Sequence, residues 1–253
     1  FAQVVEKEEV NLRDILSDIE HQERGTLRVG ASAARGTQFL PRILPDFYAH
    51  YPQVELRFVD GLSQQLERML SNGELDFAVV LSDEYRPDLV EHELCRDPIY
   101  LCVPENLLQQ YYSPQQVLTL KKSAANGANI KDFSHVPFAL MTNRLGSRLQ
   151  ECFLREHVTL TVPFTGPTSQ ILPLCAMGVT ACCCSHLSLV EAGSQLGDQI
   201  NIFPLLDQGE PMVQRLSLLR HRQRYLTHFS KYFMDLLFQT AAQLEQVQIS
   251  RTV

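Results

Sequence analysis

Small and polar side chains follow the first strand-like stretch of the sequence. Residues 26–31 are aliphatic or β-branched and predict a strand, and Ser32, Arg35 and Thr37 come just after it among alanines and a glycine. The helix predicted to follow offers N–H groups and a partial positive charge at its first turn. Ser32 and Thr37 add hydroxyls, and Arg35 can hold a carboxylate through two parallel hydrogen bonds. We therefore expect contacts to a small anion. The alternatives are a turn or cap for Ser32 and a solvent-facing charge for Arg35.

A second polar group lies in the middle of the chain, after a predicted strand and at the start of a predicted helix. Thr168 or Ser169 is expected to cap that helix in any case. A second helix N-terminus facing the first would form a two-sided anion site. Tyr100 and Cys102 are weaker candidates, placed near a proposed hinge. The candidate ligand contacts of this part of the chain are Tyr100, Cys102, Thr142, Asn143, Pro167, Thr168 and Ser169.

The seven cysteines indicate small buried side chains rather than a metal centre. Three are consecutive, at 182–184, inside an apolar run. Adjacent residues of a strand point to opposite faces, so these three are not expected to hold one ion together. The sequence contains no C-x-x-C pair and no Cys/His spacing typical of zinc. We expect reduced thiols, a cytoplasmic location, and neither metal nor cofactor. A redox sensor is a lesser alternative, since it would need a low-pKa thiol beside cations.

Composition and charge exclude several classes of protein. Hydrophobic residues make up 45% and charged residues 20%, as in folded globular proteins. The apolar runs are shorter than a membrane span, and no secretory signal is expected. A net charge of −7 opposes a nucleic-acid surface over the whole chain. The basic stretch from Arg215 to Lys231 is interpreted as a solvated strand end and helix start.

The elements alternate in the way of an α/β protein. Strands are predicted at 26–31, 54–59 and 76–81, with helices between them that cover Phe39 to Phe47 and 63–70. Pro41 should lie in the first turn of its helix, and Pro45 should kink or shorten it. Strands at 90–95 and 99–103 form a pair.

The same order of elements then repeats, which predicts a second lobe. Strands are expected at 138–142, 160–164 and 179–184, with helices at 147–156, 168–177 and 186–192. A strand at 214–220 and a helix at 225–246 return to the first lobe. Crossings near 100–104 and 204–212 would make a hinged clamshell with ligands in the interlobe cleft. The predicted lobes are 25–102 with 208–253, and 103–207.

Residues 1–24 predict a helix with one apolar stripe. Val5, Leu12, Ile15 and Ile19 recur at helical spacing, and Gly25 ends the pattern. Such a stripe must be buried. A partner helix and the chain's own domain are equally good candidates to cover it.

Several ordered motifs resemble the effector-binding domain of LysR-type transcription regulators. They are Thr26-Leu-Arg-Val-Gly, Phe39-Leu-Pro-Arg-Ile-Leu-Pro-Asp-Phe-Tyr, Tyr51-Pro-Gln-Val-Glu-Leu-Arg-Phe-Val-Asp-Gly, Leu70-Ser-Asn-Gly-Glu-Leu-Asp-Phe-Ala-Val-Val and Ala176-Met-Gly-Val-Thr-Ala. The resemblance covers about residues 1–245. Any one motif is weak, whereas the ordered set is fairly specific.

The resemblance implies two Rossmann-like lobes of the type 2 periplasmic-binding-protein-like kind behind a dimerising linker helix. It also implies a small-molecule effector, a homodimer or homotetramer, and DNA binding through a winged helix-turn-helix to which nothing in this sequence corresponds. Ser32 and Thr37 lie where the family places polar effector contacts. The segment 105–132 is longer than the family usually has between these strands. Residues 115–125 predict an extra helix there, which is interpreted as decoration.

Two other functional classes fit less well. An enzyme is disfavoured because the sequence has no G-x-S-x-G elbow, no paired metal ligands and no phosphate-cradling loop. A solute receptor feeding a transporter would share the fold and the ligand chemistry. The coiled-coil-like first helix and the free cysteines argue against it.

Overall fold

A computed structural model of the chain describes residues 24–81 and 86–249, together with Glu9 and Leu12. Glu9 and Leu12 are helical, and the rest of the helix predicted over 1–24 lies outside the described residues, except Arg24, which begins a strand. In chain order the elements are β1 (Arg24–Ala31), α1 (Ala33–His50), β2 (Gln53–Asp60), α2 (Ser63–Ser71), β3 (Phe77–Leu81), β4 (Leu89–Pro104), α3 (Glu105–Tyr111), α4 (Pro114–Ala124), β5 (Phe138–Met141), α5 (Arg144–Arg155), β6 (Phe164–Gly166), α6 (Thr168–Ala176), β7 (Ala181–Ser185), α7 (His186–Ala192), β8 (Ile200–Pro204), β9 (Leu206–Asp207), β10 (Glu210–Pro211), β11 (Val213–His221) and α8 (His228–Glu245).

The chain divides into two compact units. Strands and helices alternate along the chain, which confirms an α/β architecture. In the described part, unit 1 holds residues 24–95 and 215–246, and unit 2 holds 96–214 and 247–249. The divisions fall inside β4 and β11, whereas the sequence placed its crossings at 100–104 and 204–212.

Unit 1 is a mixed sheet with helices packed on it. β1 lies between β2 and β3 and is parallel to both, and β11 runs antiparallel to β3. β3 is buried along almost its whole length, as its continuous apolar sequence predicts. α1 and α8 pack together, and the ring centroids of Phe47 and Phe233 lie 5.6 Å apart, edge to face.

Unit 2 has its own mixed sheet. β4 pairs antiparallel with both β7 and β8, while β5 is parallel to β6 and β7. The core contains Phe133, Phe138 and Phe203, all fully buried. α4 confirms the extra helix, and its N-terminus is closed by a capping box between Ser113 and Gln116.

The first helix of unit 1 differs from expectation in its start and its length. It begins at Ala33, directly after Ser32, so no loop separates Ser32 from Phe39 and Pro41 lies well past the first turn. It continues through both prolines to His50. Pro41 and Pro45 are exposed, and water can therefore solvate the carbonyl groups that lose their partners.

Two predictions about strands were wrong for identifiable reasons. The pair of strands predicted at 90–95 and 99–103 is one continuous strand, because the Asp97 carboxylate between them finds hydrogen-bond partners inside the protein. Its carboxylate is fully buried and accepts from Leu187 N at 2.9 Å and from the Gln214 amide at 2.8 Å. The strand predicted at 160–164 is regular only from Phe164, since Pro163 has no N–H to donate to a ladder.

Candidate functional site

Ser32 caps the first helix of unit 1. Its backbone is extended, and its hydroxyl accepts from Arg35 N at 3.4 Å. The Asp60 carboxylate, at the end of β2, accepts from Ala33 N at 2.7 Å. A negative side chain therefore already stands at this helix N-terminus, where it competes with any anionic ligand. The sequence could have indicated Asp60, because β1 and β2 are parallel and their carboxyl ends meet at one edge.

Arg35 and Thr37 lie in the first two turns of α1. Arg35 is buried, with 9% of its surface exposed, and its Nη1 donates to Gln38 Oε1 at 2.8 Å. It lines a small cavity of unit 1 together with Phe39 and Phe58. Thr37 is exposed and donates to Ala33 O at 3.0 Å. Arg35 is thus not a solvent-facing charge, and its contact to a carboxylate stays a prediction.

The polar residues of unit 2 meet at the carboxyl ends of β5 and β6. These strands are parallel, with Met141 opposite Gly166, and Thr142 N donates to Gly166 O at 3.1 Å. Asn143 accepts from Gly146 N at 3.0 Å and so caps α5, while its amide donates to Thr168 Oγ1 at 3.4 Å. Two helix N-termini, those of α5 and α6, therefore lie side by side.

The cap of α6 differs from expectation. The N-cap is Pro167, which makes no side-chain hydrogen bond to the first turn, and Thr168 is the first helical residue. The Thr168 hydroxyl instead contacts Met141 Sδ at 3.2 Å. Thr142, Pro167 and Ser169 are exposed. The first-turn N–H groups of α6 therefore have no side-chain acceptor from the cap residue and suit water or an anion.

Tyr100 and Cys102 lie on one face of β4, inside unit 2. Tyr100 is 8% exposed, and its ring centroid lies 6.3 Å from that of His186. Cys102 is fully buried, and its Sγ lies 3.5 Å from that of Cys184. These positions favour packing, and ligand contact at Tyr100 and Cys102 stays a prediction. The sequence missed this proximity because the two sulfurs come from strands far apart in the chain.

A family model described as the LysR substrate binding domain matches residues 20–242. The chain belongs to this family. Within the described residues, no helix is both long and apolar enough to cross a membrane.

Two curated relatives are helix-turn-helix regulators by name. An uncharacterized HTH-type transcriptional regulator of Bacillus subtilis (strain 168), YcgK, is 28% identical over 156 residues, which is 57% of this chain and 48% of that protein. The HTH-type transcriptional regulator DmlR of Escherichia coli (strain K12) is 28% identical over 140 residues, 55% of this chain and 44% of that protein. The matched part thus spans about half the length of each relative.

Solved structures share the fold. The CcmR regulatory domain of Synechocystis PCC6803, in complex with 2-PG, superposes with a TM-score of 0.68 at 19% identity, covering 86% of this chain and 98% of that one. The effector binding domain of QuiR, in complex with shikimate, gives a TM-score of 0.64 at 14% identity, covering 87% and 98%. Both are regulatory domains, as the family assignment implies.

Proposed function

We propose that this chain is the effector-sensing part of a bacterial transcription regulator and binds a small anion, a carboxylate above all. The observation that carries the proposal is the pair of helix N-termini at the carboxyl ends of β5 and β6, with Thr142, Asn143 and Thr168 around them. Both helix dipoles favour negative charge there. The ligands of CcmR and QuiR, 2-PG and shikimate, support a small-molecule effector.

The wider setting follows from the family. We propose a cytoplasmic protein that assembles as a homodimer or homotetramer and reaches DNA through a winged helix-turn-helix segment, as the names of its relatives suggest. Seven free, buried thiols support a reducing compartment rather than the periplasm. Effector binding then shifts the population of one arrangement of the regulator over another, without chemistry on the ligand.

Thr168→Val tests the site directly. It keeps the volume of the side chain and removes the hydroxyl, and Thr165→Val, an exposed position three residues earlier in β6, is the matched control. The parent is screened by thermal shift against small carboxylates, amino acids and neutral analogues. A carboxylate at 100 times its Kd should stabilise the fold by about 2.7 kcal/mol, or roughly 5–10 °C.

The two variants test where the ligand binds, and the neutral analogues test its chemical class. Loss of a hydrogen bond to a charged group should lower the affinity for the effector about 10- to 100-fold in Thr168→Val. The affinity of Thr165→Val should be unchanged. Equal affinity in both variants would place the ligand elsewhere. Stabilisation by neutral analogues alone would contradict an anionic effector.

A further inference from the structure

Four cysteine side chains converge in the core of unit 2. β4 and β7 are antiparallel neighbours with Cys102 directly opposite Cys182, and Cys184 lies two residues further along the same face of β7. The sulfurs of Cys102, Cys182 and Cys184 all lie within 4.8 Å of one another. The sequence prediction of no shared ion considered only adjacent cysteines and missed the alternate pair.

Cys175 approaches the same cluster from α6. Its thiol donates to Cys102 O, with the sulfur 3.7 Å from that oxygen. All four side chains are 1% exposed or less. Cys183 points to the opposite face of β7 and contributes no sulfur to the group. β7 therefore carries two cysteines of the cluster. It also carries Cys183, which differs from them mainly in the face of the strand to which it points.

The geometry fits a metal bound by three sulfurs. Because no two of the three sulfurs are more than 4.8 Å apart, some point lies within about 2.8 Å of each. Metal–thiolate bonds of about 2.3 Å need only a small contraction around that point. Soft thiolate ligands select Cu(I) and Zn(II) over harder cations. Structural zinc is almost always four-coordinate, whereas the three clustered sulfurs fit Cu(I), a soft ion that thiolates select.

We propose that Cys102, Cys182 and Cys184 form a closed trithiolate site for Cu(I), with Cys175 as a hydrogen-bonding neighbour. Ion binding replaces the protons of the ligating thiols, which leave to solvent, and the cation offsets one of the three negative charges that burial disfavours. The site is independent of the proposed effector site, because it needs no anion and uses none of the residues at the β5 and β6 ends.

The test is a Cu(I) transfer experiment on the whole reduced chain under argon. Cu(I) is offered as its bathocuproine disulfonate complex, and the fall in that complex's absorbance reports transfer to the protein. Because the cluster is closed, loading is also carried out during refolding from guanidinium. We expect one equivalent of Cu(I), with an affinity reduced at least 100-fold in Cys182→Ser and Cys184→Ser. Removal of a supporting outer-shell group alone costs about 10- to 100-fold.

Two controls keep the outcome decisive. Cys183→Ser is the matched variant, since it places the same buried hydroxyl in the same strand and should keep full affinity. X-ray absorption of the copper-loaded parent needs no variant and should show a shell of sulfur alone. Failure to take up Cu(I) by either route, or equal binding in Cys182→Ser and Cys183→Ser, would overturn the proposal. So would preferential binding of Zn(II) that is lost in Cys175→Ser, which would indicate a four-sulfur site.

Discussion

Asp76 and Arg224 form a buried ion pair that the sequence did not indicate. Asp76 Oδ1 accepts from Arg224 Nη2 at 2.7 Å, and Asp76 Oδ2 accepts from Arg28 N at 2.7 Å. The side chains of Asp76 and Arg224 are 9% and 5% exposed. Arg224 belongs to the basic stretch that was predicted to be solvated, but the turn after β11 directs this guanidinium inward.

Removal of the Asp76 charge should therefore destabilise unit 1 strongly. Asp76→Asn leaves the Arg224 cation buried without its carboxylate, at a cost of roughly 3–5 kcal/mol in the free energy of unfolding. Urea denaturation of parent and variant measures the difference. Glu55→Gln, which breaks the exposed pair between Glu55 and Arg57, is the control and should change almost nothing. Equal stability of Asp76→Asn and parent would mean that the pair is not formed.

His92 should make stability depend on pH. It lies on β4 beside the ring of Phe238, and burial lowers its pKa, with a smaller contribution from Arg220. Since the folded state holds this proton less tightly than the unfolded state, the contribution is fully present above about pH 6.5 and is lost as pH falls through the folded pKa.

The variant His92→Phe isolates this contribution. Between pH 7.5 and pH 5.5 the parent should lose more unfolding free energy than the variant, as measured by urea denaturation at each pH. Parallel losses in the two proteins would show that His92 has the same pKa in the folded and the unfolded state.

Individual contacts were only partly predictable from residue types. Ser32 caps its helix, as the alternative to ligand contact anticipated, and Asn143 caps α5. Pro167 displaced Thr168 and Ser169 from the cap, because an extended proline can occupy that position without a side-chain bond. The cysteine cluster depends on neighbouring strands that are far apart in the sequence, so no local pattern could reveal it. Asp60 could be indicated only through the parallel pairing of β1 and β2.

At the scale of elements, α5 packs unusually closely on the strand before it. A Cβ at Gly146 would lie 1.8 Å from Met141 O, a distance that no side-chain adjustment can relieve. The glycine therefore allows the first turn of α5 to meet the end of β5, which in turn keeps Asn143 within reach of Thr168.

Gly146→Ala should displace this helix. We expect the free energy of unfolding to fall by several kcal/mol, as is typical when a substitution overpacks a core. Ser147→Ala, at the exposed neighbouring position, should be nearly neutral. Thermal denaturation of both variants provides the comparison, and a Gly146→Ala protein as stable as Ser147→Ala would contradict the close approach.

Element types followed from hydrophobic spacing better than element ends did. The strands β1, β2, β3 and β7 and the helices α2, α4 and α7 lie close to where the sequence predicts them. The errors came from prolines and from one buried carboxylate. Pro41 and Pro45 were accommodated on an exposed helix face, and Asp97 was satisfied by partners more than 80 residues away.

At the scale of the whole molecule, self-association is the property most open to test. Leu12 is helical and 57% exposed in the single chain, and Ile15 and Ile19 continue its apolar stripe in the sequence. Replacement of these three residues by Asp should shift the chain from dimer or larger to monomer in analytical ultracentrifugation, because charge cannot be buried in a helix pair.

A matched variant tests specificity. Replacing the exposed Leu118 of α4 by Asp removes a comparable apolar side chain elsewhere and should leave the sedimentation profile unchanged. A parent that sediments as a monomer would contradict the predicted role of the first helix. Family membership was predictable at this scale because it depends on the order of many weak motifs rather than on one contact.

The two units also differ in the order in which their segments are synthesised. Almost all of unit 2 is the single stretch 96–214, whereas unit 1 lacks β11 and α8 until residue 246 has been made. At about 5–20 residues per second, translation of the intervening chain takes on the order of 10–30 s. Throughout that interval nascent β3 presents the edge that β11 later covers. Unit 2 can therefore mature first, and the half-made unit 1 is the stage of biogenesis most in need of a chaperone.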